Sequence, residues 1–413
     1  MKIDYPFPDF QIDVRDESPE QAVATLIDFA ADLNASDLFF VCNEDEVAVM
    51  VRHLGIFRQL TTLPVELGRH CMGHIKAEAG LDHAEHRRPQ DGRWLHERPG
   101  KPKIDLRINT IPTLYGEDFS LRLLIRDAHL LDIDNLGLLD QERDQLLELL
   151  HSPSGLILVT GPTGSGKTTT LYAALNHLHD GERKINTIED PIEFALSGAR
   201  QAQVNHHLKV DFPELLRSVL RQAPDIIMIG EIRDSVTAAT AVRAANSGHL
   251  VLATLHAPIS TGAIQSMLGL GVPPHFLGES LRGVLAQQLV RTLCPECKRS
   301  FDLSHWPAIF DDVKTWLKPG EGELLYAANG CRACHMTGYA GRTGVFEVLP
   351  ITPNLRRMIL AGDSCQKIRE NAIDHGMIEI RQAAMIKVAR GQTSSEEVLR
   401  VIPSEYLGPR GAD

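Results

Sequence analysis

Apolar and polar positions change their period several times along the chain. From Ala22 to Leu33 apolar residues return at helical spacing, and the runs Leu38–Val41 and Val47–Val51 after them have strand length. A second helical stretch is predicted around Val65 to Ala79, and Ile104–Asn109 and Phe119–Leu124 alternate as half-buried strands do. Arg88–Arg93, containing Pro89 and Gly92, reads as a turn. Helices and strands in this order predict a small α/β sandwich over residues 21–128. Residues 1–20, rich in Pro and Asp without a sustained period, read as an arm. Periodicity lapses again between Asp127 and Leu136, so a linker is expected over 129–139, followed by a helix at Asp140–Leu150.

Beyond this point the pattern becomes one of short, wholly apolar runs: Leu156–Thr160, Ile185–Ile188, Ile226–Ile229 and Leu250–Ala253. Such runs suit strands buried on both faces, as in a parallel sheet. The first leads into Gly161, Pro162, Thr163, Gly164, Ser165, Gly166, Lys167 and Thr168, and a helical stretch from Thr169 to Leu178 follows. Strand, glycine turn and helix in that order make a phosphate-binding loop. Its glycines turn backbone N–H groups onto phosphate oxygens, the helix N-terminus adds its positive end, Lys167 supplies a point charge and Thr168 offers a hydroxyl to Mg2+. A nucleoside triphosphate is the expected ligand, with Thr169 also counted among the residues that bind it.

The other apolar runs end in polar groups. Ile185–Ile188 leads to Glu189, Asp190 and Glu193; Ile226–Ile229 to Gly230 and Glu231; Leu250–Ala253 to Thr254 and His256. Ligands of open α/β sheets lie at the carboxyl ends of strands, so these acids are expected to face the phosphates, with Glu231 beside Mg2+. The last stretches, Asn354–Leu360 and Glu379–Val401, are helical by period, with Glu396, Glu397 and Arg400 on a solvated face.

Composition adds limits. Over 413 residues, 43% apolar and 23% charged content is that of an ordinary globular protein of two or three domains. A net charge of −12 and a pI near 5.8 leave no overall basic footprint for nucleic acid. No apolar run approaches the roughly 18–20 residues of a membrane span, and the N-terminus lacks the apolar core of a secretory signal. A cytoplasmic location without direct membrane insertion is expected. Of seven cysteines, four form two CxxC pairs, Cys294 with Cys297 and Cys331 with Cys334. Two such knuckles match the four thiolates of a tetrahedral structural zinc, with unliganded or redox cysteines as the alternative.

Glu189–Glu193, the run Leu216–Asp234 and the run Ser247–His256 resemble the Asp box, Walker B and His box of the secretion ATPase superfamily. With the phosphate loop, four motifs occur in family order, and the resemblance covers residues 21 to 403. Within the superfamily the chain resembles the type II secretion ATPase and the type IV pilus assembly ATPase; pilus retraction ATPases lack the paired cysteines. The resemblance implies an α/β protein with a small PAS-like α/β domain (21–128), a RecA-like P-loop NTPase domain (140–293), a zinc-knuckle module (294–345) and a C-terminal helical region (346–413). It implies a homo-hexamer that spends ATP on mechanical work upon an inner-membrane platform protein, building a pilus or pseudopilus. The chain would lie in the cytoplasm, peripheral to the inner membrane.

Roles follow by resemblance: Lys167 and Thr168 in Walker A, Glu231 as the Walker B acid, Glu193 with Glu189 and Asp190 orienting the attacking water, and His249 and His256 sensing the γ-phosphate. Arg93 and Arg107 of the first domain, with Arg217 and Arg221 of the second, match arginines that reach the nucleotide across a domain cleft in the family. Departures are Phe39 and Val41 after Ser36-Asp37, Met50 and Leu54 in place of an Arg and an Asp, Ala257-Pro258 after His256, and Gln288 for a cation. The family's additional N-terminal domain is expected to be absent. Two other readings remain at this level, a RecA-like motor on nucleic acid and a nucleotide-binding scaffold without turnover.

Overall fold

The computed structural model describes residues 12–124, 131–206, 208–303 and 307–406. Among them the chain divides into two compact units, Met1–Arg126 with Cys331–Met336, and Asp127–Gly330 with Thr337–Asp413. Most of the arm expected at 1–20 lies outside the described residues, as does the start of the expected linker, up to residue 130.

In the first unit, α1 (Pro19–Asp32) begins where the Ser18 hydroxyl accepts the Gln21 N–H and Pro19 fixes the first turn. Six strands follow with one further helix: β1 (Asp37–Cys42), β2 (Glu46–His53), β3 (Ile56–Pro64), α2 (Val65–Glu78), β4 (Gln90–His96), β5 (Ile104–Thr113) and β6 (Gly116–Leu124). They form one antiparallel sheet in the order β3-β2-β1-β6-β5-β4. Alternation sends Leu38, Phe40, Val49, Leu106 and Leu121 into a core with Leu26 and Ile27 of α1 and Met72 and Ile75 of α2. The turn expected at Arg88–Arg93 is a strand from Gln90 onward. Gly92 permits this, because a Cβ there would meet Leu81 at 2.7 Å, and the pleat resumes with Arg93 and Trp94 opposite Arg107 and Leu106.

On the sheet's other face the register lines up charge. Arg93 opposes Arg107, Arg107 opposes Arg122, Arg122 opposes Asp37, and Asp37 opposes Arg52. Asp37 receives the Arg122 guanidinium at 3.1 Å, and Asp105 receives Arg93 in a fork at 2.8 and 2.5 Å.

The second unit runs α3 (Asp140–Leu150), β7 (Gly155–Thr160), α4 (Lys167–Leu178), β8 (Ile185–Glu189), β9 (Ala199–Gln203), α5 (Phe212–Leu220), β10 (Ile226–Ile229), α6 (Ser235–Asn246), β11 (Leu250–Leu255), α7 (Ser260–Gly269), α8 (Pro274–Ser280), β12 (Leu281–Leu293), β13 (Arg299–Asp302), β14 (Leu324–Ala327), β15 (Tyr339–Pro350), α9 (Pro353–Ala361), α10 (Cys365–Asp374), α11 (Ile380–Ala389) and α12 (Ser395–Val401). Its main sheet has the order β15-β12-β7-β11-β10-β8-β9, parallel throughout except for edge strand β15. Cores lie on both faces, which is why these strands carry unbroken apolar runs. No helix among the described residues is long and apolar enough to cross a membrane.

Three expectations need correction here. Ile133 and Leu136, assigned to a linker, are buried in the sheet's core, and the Leu136 carbonyl accepts the Gly344 N–H at 3.0 Å. Residues 294–345 do not stand as a unit of their own, since β15 continues unbroken from Tyr339 into the main sheet. The stretch Glu379–Val401 is helical in two pieces, interrupted at Gly391 with φ +63°. Its supposed solvated face is not solvated at Glu397. That carboxylate is buried and accepts Arg291 at 2.6 Å and Arg400 at 2.7 Å.

Candidate functional site

The phosphate loop sits where β7 ends, flanked in the sheet by β12 and β11. Gly161 has φ +149°, and a Cβ there would land 2.3 Å from the Gln287 carbonyl oxygen of β12. Gly166, φ +88°, forms the left-handed cap from which α4 starts at Lys167. Pro162, Thr163 and Gly164 are exposed, Ser165 is buried, and Lys167, Thr168 and Thr169 are half-buried. Lys167 Nζ donates to the Gly161 and Pro162 carbonyls at 2.8 and 2.9 Å. Burial draws its pKa down and the Glu231 carboxylate opposes that, so the ammonium is poorly solvated and ready for a stronger anion.

Parallel register brings the other strand ends to the same edge: Thr160 pairs with Leu255, Ala253 with Ile229, and Ile229 with Ile188. Hydrogen bonds lock them together. Thr160 Oγ1 accepts the Ala257 N–H at 2.7 Å, Thr254 Oγ1 donates to the Gly230 carbonyl at 2.5 Å, and Gly230 N–H donates to Ile188 at 2.8 Å. Glu231 is thereby held with Arg233 on one side and His256 Nε2 at 3.3 Å on the other. Burial pushes its carboxyl up, but the Arg233 bond and charge, with His256 added, outweigh that and hold it below the usual range. An ionised carboxylate near Lys167 is what a divalent cation requires.

Asp190 follows β8 and pairs with His206 at 3.1 Å; Glu193 lies half-buried three residues on. Glu189 departs from expectation. It is buried, and its carboxylate accepts Tyr172 Oη, Thr187 Oγ1 at 2.5 Å and Gln201 Nε2 at 3.0 Å, so it is an anchor rather than a group facing phosphate.

His249 departs further. It precedes β11, its carbonyl accepts Gly155 N–H at 3.0 Å and its ring meets the Ala244 carbonyl at 2.9 Å. That is the amino edge of the sheet, the whole length of β11 from His256, so His249 is not brought to the loop of its own chain. Arg217 and Arg221 are exposed on α5 and its C-cap, where Arg221 donates to Ser218 at 3.1 Å before the chain enters β10 at the same amino edge. Arg93 and Arg107 belong to the arginine row of the first unit.

Sequence reasoning missed Gln287. Buried on β12, it donates from Nε2 to the Ser165 carbonyl at 2.7 Å and so fixes the floor of the loop. Its signal was present beside the departure at Gln288, but nothing local tells which of two adjacent glutamines points at the loop. Arg233, two residues beyond Glu231, was given no role, and its pairing with that carboxylate appears only in the structure.

The four cysteine sulfurs of Cys294, Cys297, Cys331 and Cys334 lie within 4.8 Å of one another. Cys331 and Cys334 sulfurs are 3.7 Å apart, near the roughly 3.8 Å that tetrahedral geometry with Zn–S of about 2.3 Å demands. The Gly330 N–H donates to Cys297 Sγ at 3.3 Å and the Cys331 N–H to Cys334 Sγ at 3.2 Å. This donor set fits a structural zinc.

Residues 14–400 match the family described as "Type II/IV secretion system protein". The chain belongs to that family. It is 42% identical over 401 residues to "Type II secretion system protein E" of Dickeya dadantii, covering 97% of this chain and 79% of the relative. It is 40% identical to "Type IV pilus assembly ATPase PilB" of Pseudomonas aeruginosa, over 89% of this chain and 64% of that one. In fold it is similar to the Legionella pneumophila ATPase DotB, with a TM-score of 0.68, 19% identity and coverage of 95% and 97%. The α/β architecture with its P-loop edge is therefore a family fold.

Proposed function

We propose that this chain is the ATP-hydrolysing motor of a type II secretion or type IV pilus machine, assembling a pseudopilus or pilus. It is an ATPase of the secretion family. The observation that carries the reading is the convergence of Lys167, Glu231 and His256 at one sheet edge, in a chain 42% identical over nearly its whole length to a type II secretion protein E. Lys167 and the loop N–H groups hold the nucleotide phosphates, and Thr168 and Glu231 would hold Mg2+, which would supply positive charge beside the transferred phosphoryl group. Glu193, with Asp190 beside it, orients water, and His256 reads the γ-phosphate through Glu231. Cells carrying a Lys167→Ala chain should lose surface filaments or secreted protein; normal assembly with that variant would overturn the reading.

The working form is a homo-hexamer in the cytoplasm, bound at the inner membrane through a platform protein. Loop and acids account for binding and water positioning, but the developing phosphoryl charge calls for further cations. Arg93, Arg107, Arg217 and Arg221 supply them in the assembled ring. Arg107→Ala and Arg221→Ala should each lower kcat more than about tenfold with a smaller change in ATP affinity, as loss of a transition-state contact does. Steady-state kinetics with unchanged kcat would exclude that role.

Cys294, Cys297, Cys331 and Cys334 hold one structural zinc. With four protein ligands no position stays open for water, so it orders local chain and takes no part in hydrolysis. Elemental analysis of protein purified without chelator should give one zinc per chain. The double variant Cys331→Ser/Cys334→Ser should lose it and exchange amide protons faster within 294–345 first. Metal-free protein with unchanged protection there would refute the assignment.

A further inference from the structure

The segment that carries Glu193 is fastened at both ends by groups outside the sequence motifs. At its start, buried Glu189 accepts the Tyr172 hydroxyl on Oε2, and Thr187 Oγ1 and Gln201 Nε2 on Oε1 at 2.5 and 3.0 Å. At its end the same Gln201 Nε2 donates to the Phe194 carbonyl at 3.1 Å, and Gln201 Oε1 accepts the Leu196 N–H at 2.8 Å. The Phe194 ring packs edge-on against Tyr172 with centroids 4.7 Å apart. One amide of β9 and one phenol of α4 therefore close a bracket from Glu189 to Leu196, with Glu193 inside it.

Tyr172 connects that bracket to the phosphate loop. It stands four residues after Thr168 on α4, one turn along the same helix face. Burial, then the Glu189 bond, push its phenol far above the ordinary range, so it stays a donor at any working pH. A buried carboxylate with three donors is costly to disturb, and the bracket is correspondingly stiff.

We propose that Tyr172 and Gln201 are positioning residues for hydrolysis, setting the distance between the Glu193 carboxylate and the phosphate loop through Glu189 and Phe194. The inference rests on Glu193 as the water-orienting acid. Nucleotide binding uses the loop itself, so loss of either positioning group should appear in kcat and not in affinity. A displacement of about 1 Å at such a site costs up to roughly a hundredfold in rate.

Tyr172→Phe keeps the ring against Phe194 and removes only the hydroxyl, while Gln201→Leu, on the half-buried edge strand, removes the amide and tests the bracket should Tyr172→Phe fail to fold. The expected result for each is kcat lowered by about ten- to a hundredfold, with the KM for ATP and the affinity for a non-hydrolysable ATP analogue changed less than about twofold. In a Glu193→Gln background Tyr172→Phe should lower the residual rate no further, because both act through one group. Parent kcat in both single variants, or an equal fractional loss with and without Glu193, would overturn the inference. Undiminished hydrolysis by Glu193→Gln alone would instead overturn the reading on which it rests.

Discussion

Lys167→Ala is expected to weaken ATP binding roughly ten- to a hundredfold, or about 1.5–3 kcal/mol for a charge-assisted hydrogen bond, and to remove measurable turnover. Lys167 is the loop's own cation, and the described structure has it already turned inward, bonded to the Gly161 and Pro162 carbonyls and drawn down by burial. Phosphate oxygens offer a better partner than neutral carbonyls, so the ammonium exchanges one for the other when nucleotide arrives. Alanine loses both the ground-state contact and the one that strengthens as charge develops. Gly166, Thr168 and the α4 N-terminus remain, so residual binding is expected rather than none. Titration of a fluorescent ATP analogue measures the first effect and phosphate release the second. Parent-like values in both would relocate the site.

Glu193→Gln should separate the two quantities. The amide keeps the size of the side chain but neither polarises nor accepts a proton from water, so kcat should fall by about 10² to 10⁴, or about 3 to 5 kcal/mol of transition-state stabilisation. ATP affinity should hold within about twofold, because the bracket from Glu189 to Leu196 is built from other groups and survives the change. The variant should trap ATP, detectable as uncleaved nucleotide that co-elutes with the protein. Hydrolysis at the parent rate would remove Glu193 from the mechanism.

The contrast between these residues and the ones sequence reasoning misread follows from what is local. The phosphate loop is one strand, one turn and one helix start, and its glycine, lysine and threonine positions carry their geometry within eight residues. Both CxxC knuckles are equally self-contained. By contrast, Glu189 and Glu193 sit four residues apart with the same chemistry, and only Tyr172 and Gln201, brought in by α4 and β9, make one an anchor.

His249 and His256 likewise bound one strand, so a sheet six residues long in β11 separates what a linear motif places side by side. Gln287 was hidden by β12, whose mixture of apolar and polar residues is dictated by β7 on one side and β15 on the other rather than by its own period. Glu397 read as a surface group because Arg291, its buried partner, lies over a hundred residues earlier. Long-range pairing of this kind has no signature in a window of sequence.

Phosphate release by the purified chain supplied with ATP, with and without Mg2+, shows whether the P-loop edge hydrolyses nucleotide. Release is expected to require both ATP and Mg2+ and to vanish in Lys167→Ala. No release under any condition, or release that survives Lys167→Ala or removal of Mg2+, would contradict hydrolysis at that edge.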